Sequence, residues 1–80
     1  SSVVVVNNWF QFDNQSLPDV LDQLEEMYGV RIEYKRMEIQ NMYFIGKFEK
    51  GDSLQNILET IATLNRLHLR KEAGKFIIAK

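Results

Sequence analysis

The feature that most constrains this chain is a repeat inside it. Ser16-Leu-Pro-Asp-Val-Leu-Asp-Gln-Leu24 and Ser53-Leu-Gln-Asn-Ile-Leu-Glu-Thr-Ile61 share one pattern, offset by 37 residues. Apolar residues recur at Leu17, Val20, Leu21, Leu24 and Tyr28 in the first copy, and at Leu54, Ile57, Leu58, Ile61 and Leu64 in the second. Such spacing puts one apolar stripe along a helix. Each copy opens with a serine whose hydroxyl can accept a hydrogen bond from a free N–H of the first turn. Pro18 is harmless in that turn, and Asp19 and Asp22 suit the positive end of the helix dipole. Gly29 can take the left-handed conformation that ends a helix. An apolar stripe has to be buried, and two copies are too few for a solenoid. The two units must therefore pack on each other.

Strands flank both helices. Trp9–Asp13 is short and aromatic, with Phe10 and Phe12 on one face and Trp9 and Gln11 on the other. Asp13-Asn14 is expected to cap or turn the chain before Ser16. Val30–Lys35 alternates, with Val30, Ile32 and Tyr34 on one side. A polar turn at Gln40-Asn41 leads to a third strand over Met42–Phe48. If Phe44 and Phe48 face inward, so does Gly46, whose missing side chain leaves room for a helix or a bulge. Leu67–Glu72 and Lys75–Ala79 form a closing hairpin turning at Ala73-Gly74. Leu67 and Leu69 align with Val30 and Ile32, so the repeat extends into the strands. The expectation is an α+β fold of duplicated βαβ units, β-α-β-β-α-β-β, with two helices packed on small sheets. Residues 9–80 form the domain, and residues 1–8 a tail or an extra edge strand.

Eighty residues support one domain. At that size folding buries only about 60% of the unfolded surface, so a large internal cavity is not expected. With no cysteine there is no disulfide, thiol nucleophile or thiolate metal site. No apolar run is longer than the four residues of Val3–Val6, far short of the roughly 20 residues that span a bilayer. The first residue is serine, so the chain reads as a fragment whose leader or anchor lies outside it. Net charge is −1, but residues 1–30 hold five acids and no base, while residues 31–80 hold all ten bases and six acids. This dipolar surface can orient a partner that carries a basic patch. It is not the basic surface of a nucleic-acid binder.

The residues that could do chemistry have plainer roles. Ser16 and Ser53 are accounted for as helix caps, and the other two serines are terminal. His68, the only histidine, falls on the outer face opposite Leu67 and Leu69, and one histidine does not make a zinc site. Glu25 and Glu26 are adjacent on a helix and diverge. The four glycines, at 29, 46, 51 and 74, are isolated and make no phosphate loop. The element order is shared with RNA-recognition domains, but Tyr43-Phe-Ile-Gly-Lys-Phe48 does not fit their third-strand signature. Catalysis, metal, cofactor and nucleic acid are all read as absent. Partner binding is the remaining function. Candidates are Trp9, and Tyr43, Ile45 and Lys47 on the outward side of the third strand. That outward side is unusually apolar, so either a second layer of the domain covers it, which is the expectation, or a partner does. Recognition is expected at an exposed strand edge, where main-chain hydrogen bonds give affinity and outward side chains give selectivity.

Taken in order, Phe10-Gln-Phe-Asp-Asn14, Ser16 to Val30, Ile32-Glu-Tyr34, Ile45-Gly-Lys-Phe48, Ser53-Leu54 with Ile57-Leu58, and Phe76-Ile-Ile78 resemble the C-terminal domain of FecR-type anti-sigma regulators of Bacteroides-like bacteria. The resemblance covers residues 9–79. The Met27-Tyr-Gly-Val30 junction favours that family over a structural cousin, the short N-terminal signalling domain of TonB-dependent transporters and secretins. The resemblance implies a periplasmic sensing domain of a single-pass inner-membrane protein. Its implied partner is the signalling domain of an outer-membrane transporter, and a sigma factor would be controlled through a cytoplasmic part outside this chain. It carries no site residues over, so Trp9, Tyr43, Ile45 and Lys47 rest on strand pattern alone.

Overall fold

Both repeated serines open helices in the computed structural model, which describes residues 3–6 and 8–80. The elements are β1 (Val4–Val6), β2 (Trp9–Ser16), α1 (Leu17–Tyr28), β3 (Arg31–Glu33), α2 (Arg36–Ile39), β4 (Tyr43–Glu49), α3 (Leu54–Leu64), β5 (His68–Glu72) and β6 (Lys75–Ala79). Ser16 Oγ accepts from Asp19 N–H at 3.4 Å and Ser53 Oγ from Asn56 N–H at 3.1 Å. Gly29 closes α1 with φ 65°, its N–H donating to the Glu25 carbonyl. The better-formed cap should matter more. Ser53→Ala is expected to cost about 1 kcal/mol, visible as a lower urea midpoint at unchanged slope.

The strands form two three-stranded sheets, β1-β2-β4 and β3-β6-β5. They do not form the single four-stranded sheet on which RNA-recognition domains stack bases. The first strands of the two units, β2 and β4, pair antiparallel. The second strands, β3 and β5, flank β6, one parallel and one antiparallel to it. These are the strand directions a two-fold relation between the units requires. Leu17, Val20, Leu21 and Leu24 of α1 and Leu54, Ile57, Leu58 and Ile61 of α3 are buried in one cluster with Phe10, Phe12, Phe76 and Ile78. Both stripes thus empty into one core, except for Leu64 at the end of α3, which is 66% exposed.

Several expectations need correction. The chain does not turn at Asp13-Asn14. β2 runs on to Ser16 through a bulge in which Asp13 and Asn14 together oppose Ile45. Asn14 sits at φ 53°, a left-handed conformation that Asn tolerates better than most residues. The extra residue resets the alternation, so Gln15 turns inward and is only 1% exposed. Its carboxamide makes no hydrogen bond among the described residues. Gly46 does face inward, but no helix fills the space. The ring of Phe44 folds over it and stacks on Phe48, centroids 5.9 Å apart and planes 8° apart. β3 is shorter than Val30–Lys35, and a one-turn helix, α2, precedes the turn at Gln40-Asn41. The closing hairpin turns as expected, with Ala73 and Gly74 both at positive φ.

Polar ties fix β3 to α1. The Glu25 carboxylate accepts the Ile32 N–H at 2.8 Å, and the Tyr34 hydroxyl donates to Asp22 Oδ1 at 2.8 Å. Burial, reinforced by the hydrogen bond to Asp22 and that residue's charge, pushes the Tyr34 phenol up to about 12. A folded-state value above the unfolded 10.0 stabilises the fold fully below pH 10. That stabilisation is lost as pH climbs through 12. An ultraviolet titration should show one phenolate appearing near pH 12, and Tyr34→Phe should flatten the fall in stability across that window.

Candidate protein-docking face

Alternation along β2 and β4 sends Phe10, Phe12, Phe44 and Phe48 inward, where they make an aromatic cluster. The intervening residues go the other way. Trp9 is half-buried, Tyr43 58% exposed, Ile45 65% exposed, and Lys47 exposed. No layer of the described residues covers this face, contrary to expectation. With all three helices and the second sheet drawn to the phenylalanine side, no described element is left to cover the outer one.

The four candidates do share one surface. Gln11 pairs with Lys47, Trp9 with Glu49 and Ser16 with Tyr43, while Ile45 lies opposite the bulge. Directly opposed residues project to the same side of a sheet. The Lys47 ammonium sits over the Trp9 ring at 4.7 Å from its centroid, a cation–π contact worth about 0.5–1 kcal/mol in the open. It holds a long side chain flat against an aromatic plate.

Sequence reasoning missed two members. Val4 pairs with Gln11 and Val6 with Trp9, so both extend the face, 50% and 39% exposed. A run of four valines shows no alternation, and only the register with β2 assigns a side to each.

Elsewhere, polar groups are occupied or scattered. Ser16 and Ser53 serve their helices, and His68 is exposed on β5. A cavity of about 240 Å³ beside β6 is lined by Glu33, Tyr34, Glu38, Arg70 and Ile77, without His68. Glu33 is paired to Arg31 and Lys75 at 2.7 and 3.1 Å, and Glu38 Oε1 accepts the Lys80 N–H. Among the described residues no three His, Cys, Asp or Glu side chains gather to hold a metal, and no helix is long and apolar enough to cross a membrane. Of the five acids in residues 1–30, Asp22 and Glu25 are engaged within the fold, which reduces the acidic surface left for a basic partner.

A family profile described as "FecR, C-terminal" matches residues 9–78. Two crystal structures of a candidate anti-sigma factor from Parabacteroides distasonis, at 2.50 and 1.65 Å resolution, share the fold with TM-scores of 0.78 and 0.79. Sequence identity to each is 24%, over 90% of this chain. The chain spans only 33% and 34% of those two, about a third of their length. No curated protein matches it.

Proposed function

Because the chain belongs to the FecR C-terminal family, we propose that it is the sensing domain of a membrane-anchored anti-sigma regulator and acts by docking another protein. Its partner in this reading is the signalling domain of a TonB-dependent outer-membrane transporter, met in the periplasm. The sigma factor is reached through parts of the regulator outside this chain. The observation that carries the reading is the open face of the β1-β2-β4 sheet. Tyr43 and Ile45 stand more than half exposed beside a half-buried tryptophan, on a rigid scaffold with an otherwise closed core. Large apolar groups held out in water on a sheet mark an interface. Catalysis is not part of the reading: Ser16 and Ser53 serve helix caps, Glu33 is ion-paired, and His68 stands apart from them on β5.

Titration of this chain with the signalling domain of the transporter encoded beside its gene tests the proposal. Saturable binding is expected, and Ile45→Arg should weaken it by about tenfold or more while leaving the thermal midpoint in place. Absence of binding at high micromolar concentration would refute the partner assignment.

A further inference from the structure

The two sheets have four outer edges, and three of them are blunted. β1 and β3 are three residues long. On β3 the Ile32 N–H is also taken by the Glu25 carboxylate. β5 presents Arg70, Lys71 and Glu72, the kind of charged edge that resists strand addition.

β4 differs. Lys50 N–H donates to the Asn8 carbonyl at 3.0 Å, and Leu17 N–H to the Met42 carbonyl at 2.8 Å. Hydrogen-bonded positions alternate along antiparallel strands. Phe44, Gly46 and Phe48 therefore turn their main-chain groups to β2, while Tyr43, Ile45, Lys47 and Glu49 turn theirs to the open edge. Glu49 is closed off, since its N–H donates to Asp52 Oδ2 at 2.9 Å and its carbonyl accepts the Asp52 N–H at 3.0 Å. The open edge is thus Tyr43–Lys47, with Asp52 as its stop.

Resting on the proposed function, we infer that the transporter's signalling domain docks by adding an extended strand to this edge, placing apolar side chains beside Tyr43 and Ile45 and a carboxylate beside Lys47. Main-chain groups of Tyr43, Ile45 and Lys47 supply the hydrogen bonds, and the same three residues supply the side chains, because in a strand the two alternate together. An acidic partner is favoured over a second copy of this chain by charge. Antiparallel self-pairing about Ile45 would bring Tyr43 against Lys47 and offer the ammonium no carboxylate.

Amide hydrogen exchange, read residue by residue with and without the signalling domain, tests the inference. The amides of Tyr43, Ile45 and Lys47 should become protected by about tenfold or more in the complex. Ile45→Pro, which deletes one outward N–H and leaves pairing with β2 intact, should weaken binding to a similar degree. If binding occurs while those amides exchange freely, strand addition is wrong and the transporter partnership stands. If no binding occurs, the partnership itself fails and takes this inference with it. Protection of the same amides in the isolated chain at raised concentration would make a second copy the occupant and overturn the assignment. Should Ile45→Pro not fold, protection in the unmodified chain decides alone.

Discussion

Phe12→Ala is expected to cost about 3–5 kcal/mol and to leave much of the protein unfolded near physiological temperature. Phe12 is fully buried, edge-on to Phe10 at 5.8 Å and to Phe44 at 6.3 Å. Its neighbours are held in register by β2 and β4, so the void cannot readily collapse. An 80-residue domain has a total stability of only roughly 4–12 kcal/mol, so this one change removes a large share. Circular dichroism during urea unfolding should show the midpoint falling steeply. Phe48→Ala should lose less, because Phe48 is only half-buried. A loss below about 1 kcal/mol at Phe12 would mean that the aromatic cluster is not the core of the first sheet.

The second large effect is expected from adding one methyl group. At Gly46 a Cβ would lie 2.6 and 2.7 Å from two ring carbons of Phe44. A ring can swing away when it is free, but this one is 4% exposed, stacked on Phe48 and set against Phe12. Gly46→Ala should therefore cost about 1–3 kcal/mol through overpacking. Gly51 is the control, since a Cβ there meets nothing within 4 Å, and its replacement by Ala should be nearly neutral. Phe44→Leu combined with Gly46→Ala should recover part of the loss, a coupling that a double-mutant cycle would measure. Equal effects at Gly46 and Gly51 would show that the Phe44 ring is not what resists the added methyl group.

The two long helices, α1 and α3, were legible because two independent signals coincide in each, a serine cap and an apolar stripe at helical spacing. The duplication was legible for the same reason, and with it the shared core. What stayed hidden depends on partners distant in sequence. The β2 bulge exists only in register with β4, and nothing local announces that Gln15 rather than Asn14 turns inward. α2 is a single turn with no side-chain cap, too short to be stable alone, and held by the burial of Ile39. On the outer face of the β1-β2-β4 sheet, alternation placed Tyr43, Ile45 and Lys47 on one side correctly. Whether that side is covered was not written in the strand, because coverage is decided by where the helices and the second sheet pack.

The most direct measurement is a nitrogen–proton correlation spectrum of this chain recorded while the transporter's signalling domain is added. Perturbations are expected to concentrate at Tyr43, Ile45 and Lys47 and at the Trp9 indole, with the helix amides of α1 and α3 little changed. Perturbations gathered instead around Arg70 and Ile77, on the opposite sheet, would contradict the account.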